Sequence, residues 1–427
     1  MKMILLKPIN RAIIFLLVIA WLVYSPTLTA TANAANSGTT ITSPDTEGDV
    51  GEYTSLALDS NGYPIVAYFS EQTDDLKLLH CDDPNCEGSN SIATPDSGGS
   101  VGRFPSLDLN SSGFPVISYY ANSGGDLRII FCLNANCTST ARTVPDTNGA
   151  VGAHSSLVLD SNDYPVVSYY DFSNKNLKLL HCTKSLCGVG DQIVDVDTAN
   201  QDVGWFTSMA LDSNGYPVIS YYDYSALNLK LARCNDPNCD PNVNGAETIT
   251  VVDSVGNVGL DPSLALDSNG YPVISYFDFS GKNLKLIHCN DPNCDPDVNG
   301  AESIAIVDRN GNVGQYTSLE LDANGFPVIS YYGSSNLKLA HCNDPNCDPD
   351  VNGGERISTV DADGNVGLYT SLELDSNGYP VISYYDATNE DLKIAHCDNA
   401  DCIPSCASYD NGLANAGYLV GTVDNDT

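Results

Sequence analysis

Residues 258–294 read VGLDPSLALDSNGYPVISYFDFSGKNLKLIHCNDPNC, and nearly the same text occurs seven times. The frame V-G-x-x-x-S-L-x-L-D-x-x-G-Y-P-V-I-S-Y-Y-D…N-L-K-L-x-H-C-N-D-P-N-C starts at Val50, Val101, Val151, Val203, Val258, Val313 and Val366. A period of roughly 50 residues means stacked supersecondary units. Each unit carries four strand signals, which in this copy fall at 263–266, 272–277, 284–289 and 302–307. Asp267-Ser268-Asn269-Gly270 between the first two is a tight-hairpin signal, because Gly tolerates the left-handed conformation that closes the turn.

In the second strand Val273, Ser275 and Phe277 alternate with Ile274, Tyr276 and Asp278. Both faces are therefore largely apolar, as they must be when a sheet is sandwiched between two neighbours. The expected fold is all-β: a seven-bladed β-propeller of four-stranded antiparallel blades, with one short-loop disulfide per blade. A parallel β-solenoid is the competitor, but tight hairpins speak for antiparallel strands. Thr39–Asp45 resembles a blade's fourth strand and is expected to close the ring; residues 418–424 resemble the same strand and compete for that place.

The chain opens on Lys2, Lys7 and Arg11, an apolar run at 12–24 and Ala32-Asn33-Ala34. Thirteen apolar residues fall short of the roughly 20 that span a bilayer, so 1–34 reads as a cleaved export signal. The expected order is then the ring-closing strand within 35–49, seven repeats over 50–402 and a tail at 403–427. A formal charge of −36 opposes binding to nucleic acid and anionic lipid. Export to the periplasm, the cell surface or the medium is expected, with no membrane span in the mature chain.

Cysteine usage agrees. Fourteen of fifteen cysteines form C-x4-C pairs, one per repeat: Cys81 with Cys86, Cys132 with Cys137, Cys182 with Cys187, Cys234 with Cys239, Cys289 with Cys294, Cys342 with Cys347 and Cys397 with Cys402. Such regular pairs in an exported chain read as disulfides, leaving Cys406 over. His80, His181, His288, His341 and His396 each precede the first Cys. Adjacent strand residues point to opposite faces, so packing is expected of them rather than metal binding.

Three loops carry D-P-x-V-N-G. Asp240, Asn242 and Asn244, Asp295, Asp297 and Asn299, and Asp348, Asp350 and Asn352 match positions one, three and five of a calcium loop, followed by Gly. The acid expected at position twelve is missing, while Glu247, Glu302 and Glu355 stand at position eight. Calcium is the one cofactor expected. The same composition also makes a plain Asn/Asp/Gly/Pro turn.

The repeat is similar to sialidase-type and related secreted bacterial seven-bladed propellers. The likeness rests on segments such as LDSNGYPVISYYD at 211–223 and 374–386. The sialidase Asp-box S-x-D-x-G-x-T-W is replaced here by D-S-N-G-Y-P. The resemblance implies the architecture, and a ligand face near the central channel on the side of the interblade connections. Residues there that break the repeat are the candidates: Arg103, His154, Trp205 and Asp261, joined by Asp171, Asp223, Asp278 and Asp386. Aromatic platforms beside carboxylates suit sugars or cations. Seven near-identical units favour a non-catalytic module binding a glycan or an extracellular protein. A structural envelope module and a sialidase-like glycan-cleaving enzyme are the alternatives.

Overall fold

The computed structural model describes residues 38–403 except 189, 199–201, 301 and 352–353. Residues 1–34, read as an export signal, the second closing candidate at 418–424 and Cys406 lie outside the described residues. Seven four-stranded antiparallel sheets stand as blades around one axis. In blade 1 the strands are β2 (Val50–Leu58), β3 (Pro64–Ser70), β4 (Asp75–His80) and β5 (Ser91–Asp96). The preceding strand, β1 (Thr39–Asp45), pairs antiparallel with Asp391–Cys397 and becomes the outer strand of blade 7. The first strands touch their neighbours all the way round, β2 against Val366–Leu374 included.

Each first strand is longer than its sequence signal. In blade 5 it runs from Val258, because Val258 pairs with Asp278 before two register shifts let Ser263 meet Ser275. Those shifts are a bulge, and they decide where the functional face lies. The short turn after the first strand is capped by its own Asp. Asp59 Oδ1 accepts from the Asn61 and Tyr63 N–H groups, and Gly62 sits at φ +79°.

The seven expected disulfides are formed, each closing the loop that follows a third strand. Cys81 is joined to Cys86, Cys132 to Cys137, Cys182 to Cys187, Cys234 to Cys239, Cys289 to Cys294, Cys342 to Cys347 and Cys397 to Cys402. All fourteen residues are buried. The C-x4-C spacing gives no sign of one backbone feature. Cys86, Cys137, Cys239, Cys294, Cys347 and Cys402 all adopt left-handed backbone, with φ between 48° and 55°. Their N–H groups close a tight turn, as in Cys86 to the Asp83 carbonyl and Cys294 to the Asp291 carbonyl, and the turn brings the second sulfur back to the first. Non-Gly residues adopt that conformation only where surrounding structure holds them, and the disulfide is such a constraint.

The apolar core is distributed between blades. Val273 packs with Ile329 and Tyr331 of blade 6, whereas Ile274 and Tyr276 pack with Val218 and Leu229 of blade 4. This is the two-faced strand anticipated from the alternation. The Gly of V-G permits the close approach. At Gly51 (φ +105°) an added Cβ would lie 2.7 Å from the Leu392 Cα of the preceding blade.

Polar joints repeat with the same regularity. A Ser Oγ on each first strand accepts an N–H from the next, as in Leu107 to Ser55, and Leu56 to Ser371 closes the circle. Further out, Asp45 accepts from the Tyr68 hydroxyl at 2.6 Å and from Lys77 Nζ at 2.5 Å. The same triad links every blade to the next: Asp96 with Tyr119 and Arg128, Asp146 with Tyr169 and Lys178, Asp197 with Tyr221 and Lys230, Asp253 with Tyr276 and Lys285, Asp308 with Tyr331 and Lys338, and Asp361 with Tyr384 and Lys393. These tyrosines are fully buried, so a hydroxyl without a partner would carry the whole desolvation penalty.

Candidate functional site

The bulge at the start of each first strand turns one side chain toward the axis. The seven residues so placed are Tyr53, Phe104, His154, Phe206, Asp261, Tyr316 and Tyr369, and all have φ between 47° and 54°. Bulky residues at positive φ carry a cost of about 1–3 kcal/mol each, so their packing must offset it. It does so as a collar of rings. Centroids lie 4.6 Å apart for Tyr316–Tyr369, 4.4 Å for Tyr369–Tyr53, 4.5 Å for Tyr53–Phe104, 4.1 Å for Phe104–His154 and 4.4 Å for His154–Phe206. Asp261 takes the seventh place, its carboxylate accepting the Tyr316 N–H at 3.0 Å. Beside the collar is a cavity of about 150 Å³, lined by Phe104, His154, Phe206 and Asp261 and by residues just behind them.

The two exceptional collar residues titrate abnormally. Burial pushes His154 down to about 3, so its imidazole is neutral. Burial pushes Asp261 up to about 6, against the opposing Tyr316 N–H. Substitution of the repeat's aromatic thus places a neutral base and a reluctant acid on one cavity wall.

From His154 the aromatic surface continues outward over blades 3 and 4. Trp205 lies 5.4 Å from His154 and 4.8 Å from Tyr170. Phe172 meets Trp205 edge-on at 5.6 Å, and Tyr224 stacks on Trp205 at 5.5 Å and 28°. Tyr224 is 55 % exposed, so this platform faces solvent. Asp202 anchors it. One carboxylate oxygen accepts from Trp205 Nε1 at 2.7 Å and from the Tyr170 hydroxyl at 2.6 Å, while Lys175 stands 3.1 Å from the other. Burial alone would raise the Asp202 carboxyl, but these donors outweigh it and hold it below the usual range.

Arg103 sits away from that platform. Its guanidinium lies 4.6 Å above the Phe69 ring and donates to Glu71 at 2.6 Å. Nearby Glu52 is pushed up to about 7, first by burial and then by Glu71 and Asp49, against Arg103. Asp171, Asp223, Asp278 and Asp386 are nearly or wholly buried. They cap the hairpin between second and third strands, accepting N–H groups such as those of Ser173, Ala226, Gly281 and Thr388. Their side chains do not project from the channel face. Of the eight residues singled out in the sequence, His154, Trp205 and Asp261 share the axial region, while Arg103 belongs to a separate charged cluster.

In the D-P-x-V-N-G loops the side chains turn inward on the loop. Asp240, Asp295 and Asp348 accept the N–H of Asn242, Asp297 and Asp350, and the Asn244 and Asn299 amides donate to Asn235 and Asn290 carbonyls. Asn352 lies outside the described residues. The oxygens left over belong to other residues: Asn235 Oδ1 with Glu247 Oε1, and Asn290 Oδ1 with Glu302 Oε1, are buried without a hydrogen-bond partner. An all-oxygen acceptor set has the chemistry that a hard cation takes, and Glu247 and Glu302 are the acids at position eight of the motif. Each other Glu oxygen accepts the Asn235 or Asn290 N–H.

The paired cysteines are structural and add no ligands to a site. Cys182, Cys187 and Asp191, and likewise Cys234, Cys239 and Glu247, lie within 4.8 Å of one another by their ligand atoms. Their sulfurs are bonded to each other, however, and a disulfide sulfur lacks the thiolate charge that binds metal. The same holds for Cys81 with Cys86, Cys132 with Cys137, Cys289 with Cys294, Cys342 with Cys347 and Cys397 with Cys402. None of the fourteen lines the cavity beside the collar.

Four of the five histidines, His80, His181, His341 and His396, bridge blades, whereas His288 bonds only to Asp267 of its own turn. His181 joins Asp160 of its own hairpin turn to Asn238 of the next blade, and Arg233 makes the matching link from Asp212 to the Pro292 carbonyl. Sequence reading missed Asp202, Tyr170, Phe172 and Tyr224. A signal was present, since the position after the second strand is aromatic only in blades 3 to 5, as Phe172, Tyr224 and Phe279.

The fold and this face define a seven-bladed propeller whose structural neighbours include sialidases. NanB sialidase of Streptococcus pneumoniae matches at TM-score 0.46 and 10% identity, over 83% of this chain and 70% of that one. The GH93 α-L-arabinofuranosidase of Fusarium graminearum matches at 0.47 and 12%, over 84% and 97%. Puromycin hydrolase matches at 0.50 and 12%, over 84% of this chain but 56% of that one. These are likenesses of fold. No protein-family model matches the chain, and no curated protein matches it by sequence.

Proposed function

We propose that this chain is an exported, non-catalytic propeller that binds a glycan outside the cell, on the aromatic platform of blades 3 and 4. The observation that carries the reading is the exposed Tyr224 ring stacked on Trp205, itself fixed by Asp202 and continuous with His154 at the axis. Flat rings anchored from behind offer a rigid apolar surface to the C–H face of a sugar, with little conformational entropy left to lose. Asp202, Lys175 and the Tyr170 hydroxyl line its edge with hydrogen-bonding groups. The seven disulfides suit the oxidising compartments that export reaches. Calcium enters this reading as a stapling ion for the loops of blades 4 and 5.

A glycan array probed with the exported protein tests it. Selective binding is expected, and Trp205→Ala and Tyr224→Ala should each weaken it at least about tenfold, or about 1.4 kcal/mol. Binding that survives both substitutions would move the site elsewhere. A blank array would turn the platform into a contact for an extracellular protein.

A further inference from the structure

Six of the seven collar places hold rings, and the seventh holds Asp261. The ring contacts run from Tyr316 through Tyr369, Tyr53, Phe104 and His154 to Phe206, and the arc stops there. Asp261 shares the left-handed backbone of the ring residues, with φ 47°, but its side chain is much smaller. The space that a seventh ring would fill is left open, and the cavity lies at this gap, walled by Phe104, His154, Phe206 and Asp261. A cavity of about 150 Å³ holds a benzene-sized group, and a tetramethylammonium head has similar bulk.

The lining is short of free donors. The hydroxyls of Ser155, Thr207 and Thr317 reach the wall, but each donates its proton to a backbone carbonyl, of Phe104 at 3.2 Å, His154 at 2.8 Å and Asp261 at 2.9 Å. What faces the space is ring carbon, a neutral imidazole and a carboxylate. Among the described residues the Tyr316 N–H is the one donor to that carboxylate, and no cationic side chain pairs with it. Burial accordingly pushes Asp261 up to about 6, and an enclosed carboxylate of this kind is stabilised by a counter-charge. A sugar ring with many hydroxyls would find few partners here. A hard metal ion, which takes about six to eight oxygens, would find one carboxylate.

We propose that the axial cavity binds an alkylated ammonium head group, held by Asp261 at the gap and by the rings of Phe104, His154 and Phe206. The charge answers the carboxylate, and the methyl groups answer the ring walls, whose π-systems add their own attraction for a cation. The formal charge of −36 draws such ions toward the chain. The inference goes beyond the glycan reading and does not rest on it, since Trp205 and Tyr224 of the platform lie outside the cavity lining.

Calorimetric titration of the exported protein with choline tests it, at about pH 8 so that Asp261 is ionised. The control probe is the neutral analogue in which a tert-butyl group replaces trimethylammonium. Wild type should bind choline at least about tenfold more tightly than the analogue, as expected where a nearby carboxylate reads the charge. Asp261→Asn keeps the size of the side chain and should remove most of that preference. Asp261→Phe puts the repeat's aromatic into the gap and should abolish binding of both probes. Both replacements suit the backbone, because Asn tolerates positive φ and Phe104 and Phe206 already occupy the equivalent places. A wild type that takes up no choline overturns the proposal, as does equal affinity for the two probes or an Asp261→Phe variant that binds choline like wild type. Should either variant fail to fold, the other decides together with the wild-type preference. The glycan array reads a separate surface, so failure there leaves this result standing, and the reverse.

Discussion

Asp146 does at one joint what its six counterparts do at the others, and its effect can be isolated. It accepts from the Tyr169 hydroxyl and from Lys178, both buried. Asp146→Ala should destabilise by about 3 kcal/mol, because it removes the nearer counter-charge of a buried ammonium, leaving only Asp171 at 3.8 Å, and strands the Tyr169 hydroxyl. Adding Lys178→Met should recover much of that loss. A double-mutant cycle in denaturant checks it, and two independent, additive losses would show that the pair does not act as a unit. His154 gives the pH counterpart. Its folded pKa of about 3 lies below the ordinary 6.5, so the unfolded chain takes up a proton first as pH falls. The stability tied to neutral His154 is complete above about pH 6.5 and drains away toward pH 3. At pH 5 the deficit should be about 1–2 kcal/mol. His154→Phe restores the repeat's aromatic and should flatten that part of the melting-temperature profile. An unchanged profile would mean that the imidazole reaches water more freely than the collar implies.

At the level of strands and loops, what recurs was legible and what depends on neighbours was not. The second strand could be read because Val273 to Asp278 alternates by itself. The start of the first strand could not, since Val258 pairs only through a bulge whose partner lies twenty residues on. The cysteine pairs were legible from spacing alone, but the left-handed backbone at Cys86 and its counterparts was not, because it answers to the closed loop. The Asp–Tyr–Lys joints link different blades, yet their offset was open to inspection: Asp45 to Tyr68 and Asp253 to Tyr276 are both 23 residues. Trp205 was found because it breaks the pattern, whereas Asp202, which fixes it, resembles any other loop acid. The first three oxygen positions of the calcium motif are used by the loop for its own turn, and the buried leftovers belong to the acid at position eight and to the Asn that follows the first Cys. β1 offers a test at this scale. Removing Thr39–Asp45 bares the edge of Asp391–Cys397 and deprives Tyr68 and Lys77 of Asp45. Hydrogen exchange should show protection of the Asp391–Cys397 amides falling by about tenfold or more, ahead of the other blades. Uniform protection across all blades would mean that closure there contributes little.

For the whole molecule, the notable property is that order and variation are segregated. The repeat-fixed residues, Val-Gly, Ser-Leu, Tyr and Lys, build joints between blades. Four departures from the repeat share the face around the axis: His154, Asp261, Trp205 and Tyr224. A near-symmetric scaffold thus carries an asymmetric surface, and only the asymmetry can discriminate among ligands.

The joint between blades 7 and 1 is chemically the same as the other six: Leu56 N–H on Ser371, Tyr68 and Lys77 on Asp45, Gly51 against Leu392. The scaffold is therefore indifferent to where the polypeptide is cut. Joining residue 403 to residue 38 and opening the chain in another blade's hairpin gives a circular permutant with every joint intact. The face could then be carried on a chain whose ends emerge wherever a fusion partner or a surface tether requires them.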